Sequence, residues 1–208
     1  MSESQPLSRL FEEKAKAVSA VVSTVTSLDQ ALAHAVDLCD KKDACQILVS
    51  GCELPLSATG EALCETKQQK ILAAPGLEPK LFAKLKELAA ERGILCIDEG
   101  MRQRLGGVDI AFTVADFGIA ETGTLVFDSN SEEQRLATMT AEFHLAVLPV
   151  SKIREKSFDL EEELLALLQK SPSYTAFVTG ASRTADIERV LALGVHGPLE
   201  LHILLLED

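Results

Sequence analysis

The chain has 208 residues, 47% of them hydrophobic, which is enough for one domain with a full apolar core. Its 32 acidic residues against 20 basic give a net charge of −12, a field that opposes nucleic acid and anionic membrane surfaces. An anionic small molecule then needs a local basic site, and the first 25 residues, MSESQPLSRLFEEKAKAVSAVVSTV, hold no unbroken apolar run, which argues against a signal peptide or membrane span and for a cytoplasmic protein.

In chain order, Pro6 and Ser8 precede an amphipathic run, and Ser27 with Gln30 makes a capping-box pattern ahead of ALAHAVDLCDKK. Two helices are therefore predicted to open the fold as an N-terminal helical segment over 1–42. QILVSG, KILAAPG and GILCID read as short strands. EPKLFAKLKELAAERG reads as a helix, with Pro79 in its first turn, Leu81, Leu85 and Leu88 on one face, and Gly93 just past its end. VDIAFTVADFGIAETGTLVFDS reads as strand, tight turn at AETG, strand. A strand HLAVLPV, a helix DLEEELLALLQK, a strand YTAFVTG, a helix TADIERVLAL and a strand ELHILLLE complete the alternation. This pattern predicts a single α/β domain over 1–208, with a mostly parallel sheet sandwiched by helices.

The five cysteines, Cys39, Cys45, Cys52, Cys64 and Cys96, are odd in number and contain no C-x-x-C pair. Free thiols are predicted, with no disulfide framework, metal site or cluster in this chain.

Three stretches carry possible chemistry. YTAFVTG delivers Gly180, Ala181, Ser182, Arg183 and Thr184 at the carboxyl end of a strand, where open α/β sheets bind ligands. Ser182 or Thr184 can cap the predicted helix, whose N-terminus attracts an anion, while Arg183 adds a planar donor for a carboxylate or phosphate. The plainer alternative has Ser182 and Thr184 as caps only, Asp186 and Glu188 complementing the helix dipole, and Arg183 pairing at the surface. In GIAETGTLVF, Glu121 sits at a turn between apolar runs beside Thr122, Gly123 and Thr124. Partial burial there would raise its pKa and prepare it as acid, base or nucleophile; alternatively it is a hairpin glutamate held by backbone N–H groups. In GVHGP, His196 is flanked by glycines, and a helix crossing back from Ser182 would leave it at the far end of the sheet unless the connection doubles back. Arg135 and His144 are further candidates for the same crevice, whereas His34 and His202 are expected on packed faces.

Together AETGTLV, TGASRTADIE and LGVHGPLELHILLLE resemble the lactate-utilisation protein C family, also known as the LutC/YkgG or LUD-domain family, most closely over 109–207. The resemblance implies a three-layer α/β/α sandwich of the sugar-phosphate isomerase and coenzyme A transferase group (NagB/RpiA/CoA transferase-like). It also implies participation, with two partner proteins that carry iron–sulfur clusters, in oxidising L-lactate to pyruvate. Three readings follow. The first is a component of a lactate-oxidising assembly that binds a small carboxylate or phosphate, or a partner surface, through Glu121, Ser182, Arg183, Thr184 and Asp186. The second is a free-standing enzyme or acyl/CoA transferase-like protein using Glu121, and the third a scaffold without ligand.

Overall fold

Helix α1, Ser4–Ala17, stops where Ser19 takes a φ of 69° and turns the chain into strand β1, Ala20–Val25. The computed structural model describes residues 4–42, 69–104, 106–185, 189 and 191–208. The opening segment is thus helix, strand, helix rather than two helices. The predicted strand QILVSG, with Cys45, Cys52, Cys64, Asp186 and Glu188, lies outside the described residues.

Helix α2, Leu28–Lys41, begins as its sequence predicts. Ser27 Oγ accepts from the Gln30 N–H at 3.2 Å, and Gln30 reaches back to the Thr26 N–H at 2.9 Å, one residue before the cap. Then come β2 (Ile71–Ala73), α3 (Pro79–Ala90), β3 (Leu95–Ile97), β4 (Val108–Val114), β5 (Phe117–Ile119), β6 (Thr124–Asp128), α4 (Glu132–Thr140), β7 (Ala141–Pro149), β8 (Ile153–Arg154), α5 (Glu161–Leu168), β9 (Thr175–Val178), β10 (Arg183–Thr184), β11 (Ala192–Leu193) and β12 (Glu200–Leu206). Pro79 opens α3, which buries Leu85 and Ala89, and Gly93 takes its left-handed φ of 67° after the last turn.

Six strands form one parallel sheet in the order β1-β12-β7-β4-β2-β3. The central strands are buried and mostly apolar on both faces, as a covered parallel sheet requires. On one face α2 and α3 pack Leu32, Val36 and Leu85 against Ile110, Phe112, Leu145 and Leu204. On the other, α1 brings Phe11 and Ala15 against Leu148, Ile203 and Leu205, and α4 packs Ala137 near Ala111. The expected α/β/α layering is present, with a second, four-stranded sheet, order β8-β5-β6-β9, built into this outer layer. Its far face is closed by Leu160 and Leu164 over Phe117 and Val126.

Three local expectations change. YTAFVTG is not a strand of the parallel sheet: β9 pairs antiparallel with β6 in the smaller one. Residues 132–140, where the sequence pattern names no element, form α4, started by Ser131 Oγ accepting from the Gln134 N–H. TADIERVLAL is not a helix through its length, because Thr184 pairs with Ala192 and Arg183 with Leu193 in an antiparallel ladder.

A buried ion cluster ties the layers near the amino ends of β4 and β7. The Lys42 ammonium, fully withdrawn from water, lies 3.0 Å from Asp109 and 2.5 Å from Glu142. Burial works to lower its pKa, but the bonds to Glu142 and Asp109 outweigh that and hold it above the usual lysine value. The Cys39 and Cys96 thiols are buried, which pushes both up to about 12 and keeps them protonated.

Two glycines receive the corner between α1 and β1. A Cβ on Gly123 (φ 65°) would fall 2.3 Å from the Ala15 nitrogen, and one on Gly180 (φ 74°) 2.2 Å from the Val18 carbonyl oxygen. Gly93 has a similar φ of 67° but open space where its Cβ would go. Gly180→Ala should therefore cost about 2–4 kcal/mol, combining backbone strain with overpacking, whereas Gly93→Ala should cost about 1 kcal/mol. Urea unfolding of both variants checks this; equal losses would mean that the close approach is not what demands glycine.

A candidate site lined by arginine and histidine

Where β9 ends, the chain bends at Gly180 and returns on itself. The Ser182 N–H donates to the Pro198 carbonyl at 3.0 Å, the Gly194 N–H to the Ser182 carbonyl at 3.0 Å, and the His196 N–H to Ser182 Oγ at 3.4 Å. Ser182 thus fastens the GVHGP loop beside Arg183. With Arg183 and Thr184 paired to Leu193 and Ala192 as a short ribbon, the chain doubles back and His196 returns to the end where Ser182 lies.

The folded-back loop closes a cavity of about 350 Å³. Its walls are Arg135, Thr138 and Met139 of α4, His144 of β7, Leu201 of β12, and Tyr174, Ala176 and Val178 from the β9 segment, with Ser129, residues 180–183 and residues 196–198 completing it. Four lining side chains can carry positive charge or donate strong hydrogen bonds, and among the described residues none of the lining is a carboxylate. In a chain of net charge −12 that segregation is the site's clearest electrostatic property.

Each basic group is held differently. Arg135 donates through Nη1 to the Ser129 and Asn130 carbonyls, the latter at 3.0 Å, and its guanidinium lies 5.1 Å from the centre of the Tyr174 ring. Arg183 and His196 are exposed at the opening. His144 is buried, its Nε2 at 2.8 Å from Thr113 Oγ1 and its ring 5.6 Å from that of Phe127. Burial pushes the His144 pKa down to about 4, so the cavity holds one neutral imidazole at neutral pH.

Among the residues singled out in the sequence, Ser182, Arg183 and His196 meet at this cavity with Arg135 and His144. Thr184 lies in β10 outside the lining, and Asp186 lies outside the described residues. Glu121 is exposed rather than partly buried, does not line the cavity, and accepts from the Ser157 N–H at 3.3 Å. Its neighbours have structural contacts: Thr122, Thr124 and Thr179 form a chain of hydroxyls with 2.7 Å steps, and Gly123 accommodates α1. Sequence reasoning missed Ser129, Thr138, Met139 and Tyr174; the available signal was Tyr174, the chain's single tyrosine, opening the β9 run. His202 is packed as expected, stacked on Phe143 and bonded to Glu200 at 2.7 Å.

The family model described as the LUD domain matches residues 8–206. Curated relatives include Lactate utilization protein C of Halalkalibacterium halodurans, 32% identical over 113 residues, covering 53% of this chain and 49% of that protein. The uncharacterized protein YkgG of Escherichia coli is 33% identical over 102 residues, covering 48% of this chain and 44% of that one. The match thus spans about half the length of these relatives. A crystal structure of a DUF162 family protein from Deinococcus radiodurans superposes with a TM-score of 0.62 at 16% identity, covering 99% of both chains, a likeness of fold.

The buried His144 makes stability depend on pH. Its folded pKa of about 4 lies below the roughly 6.5 of an unfolded chain, so between these values the unfolded state binds a proton that the native state does not. This contribution is fully present above about pH 6.5 and falls away as pH drops toward 4, by on the order of 3 kcal/mol. Urea midpoints of wild type and His144→Gln, measured from pH 7.5 to pH 4.5, should differ by an amount that changes across that window. A constant difference would show that His144 does not titrate as its burial requires.

Proposed function

This chain belongs to the LUD domain family, and we propose that it serves in L-lactate utilisation as the component that holds a small carboxylate in the Arg135, Arg183 and His196 cavity. The carrying observation is the lining itself: two guanidiniums and two imidazoles, with no carboxylate among the described lining residues, inside a strongly acidic protein. A guanidinium presents paired N–H donors that match the two oxygens of a carboxylate, and no ion pair claims Arg135 or Arg183 among the described residues. The names of the curated relatives support the lactate context. Oxidation of L-lactate to pyruvate removes two electrons and two protons, and in this reading partner subunits bearing iron–sulfur clusters accept the electrons. A phosphate would satisfy the same donors and serves as the competing ligand in the test.

The alternative of an acyl or coenzyme A transferase built on Glu121 has less support, because that carboxylate is exposed, bonded to a backbone N–H and outside the cavity. Titration calorimetry with lactate, pyruvate and inorganic phosphate separates the readings. Arg183→Ala and Arg135→Ala should each weaken carboxylate binding by roughly ten- to hundredfold, the loss of one charge-assisted contact. Glu121→Gln should leave binding unchanged. Absence of binding to the wild type at millimolar ligand, or a loss confined to Glu121→Gln, would overturn the proposal.

A further inference from the structure

Resting on the reading of the cavity as a carboxylate site, and extending its range beyond lactate and pyruvate, we propose that it also takes, and takes more tightly, 2-hydroxy or 2-oxo acids whose side chain is larger and more apolar than the methyl group of lactate. Size is the first argument. A cavity of about 350 Å³ falls within the roughly 300–1,000 Å³ of pockets that enclose multi-ring ligands, and could hold on the order of ten waters. A six-heavy-atom acid would leave much of it wet.

The arrangement of the walls is the second. The guanidiniums of Arg135 and Arg183 provide for the carboxylate, while Ala176, Val178 and Leu201 line the cavity with hydrocarbon. Tyr174, already against Arg135, adds an aromatic side chain to the same enclosure. A ligand with a charged head and an apolar body satisfies both regions, whereas a small hydrophilic anion uses only one.

His144 supplies the third. Thr113 Oγ1 can either donate to Nε2 or accept from it, so this hydrogen bond does not fix the tautomer of the ring. Nδ1 has no hydrogen-bond partner among the described residues. It can therefore accept from a 2-hydroxyl in one tautomer or donate to a 2-keto oxygen in the other. One neutral imidazole accommodates both oxidation states of the same acid.

Calorimetry on the full chain tests this with pyruvate, phenylpyruvate and 3-phenylpropanoate, which lacks the 2-oxygen. Phenylpyruvate should bind at least about tenfold more tightly than pyruvate, and 3-phenylpropanoate more weakly than phenylpyruvate. Val178→Phe, which fills the apolar wall, should weaken phenylpyruvate binding by a larger factor than pyruvate binding and so shrink the phenyl advantage; if that variant does not fold, the wild-type comparison decides alone. Arg183-dependent binding of pyruvate with no gain for phenylpyruvate would overturn the large-side-chain inference and leave the carboxylate reading standing. Equal affinity for phenylpyruvate and 3-phenylpropanoate would remove the part assigned to His144. Binding of none of the three would remove both readings.

Discussion

The close approach of the α1–β1 corner to Gly123 and Gly180 is the constraint on which the rest of this architecture hangs. Gly123 belongs to the β5–β6 hairpin and Gly180 to the end of β9, so one corner of chain gauges the position of the entire smaller sheet against the larger. Thr122, Thr124 and Thr179 lace the same region together through their hydroxyls. Because Gly180 also lines the cavity, the contact that docks α1 sets where the Ser182 and Arg183 loop begins. The small residues of VTGAS thus have two duties, one toward the N-terminal corner and one toward the cavity.

Charge is distributed with the same economy. Much of the basic complement is engaged by acids elsewhere: Arg92 with Asp37 and Asp40, Arg102 with Glu132, Arg154 with Glu163, Lys170 with Asp128, and the buried Lys42 with Asp109 and Glu142. Arg135 is restrained by carbonyl oxygens and an aromatic ring, which orient a guanidinium without neutralising it. The overall negative field and a local cluster of basic side chains therefore coexist in one molecule.

What was legible in the sequence was whatever short-range chemistry determines. Ser27 and Gln30 start α2, Pro79 and Gly93 bracket α3, and the AETG turn joins two antiparallel strands, each where the local pattern placed it. β1 escaped because no Gly or Pro marks its start and, as an edge strand, it buries only Ala20 and Val25, leaving no clean alternation. The ribbon of β10 and β11 escaped because TADIERVLAL has the apolar spacing of a helix while its ends are paired across the ribbon, a tertiary choice that local preference does not encode. Arg183 and His196 were recognisable as residue types, but their meeting depends on Ser182 bonding to Gly194, His196 and Pro198, contacts that no motif announces.

The strand order carries a consequence for how the molecule is made. β12 lies between β1 and β7, so Ala20 is paired with Leu201, and His144 with the same Leu201 from the other side. As a ribosome releases the chain, β1 has no neighbour among the described strands until β12 has followed, and the Leu148, Ile203 and Leu205 core that receives α1 is incomplete for as long. The N-terminal corner that later gauges both sheets must therefore wait, and the nascent chain spends its synthesis with apolar strand edges uncovered. Such a topology ties the cavity's completion to the insertion of one late strand, since Leu201 of β12 is part of its wall.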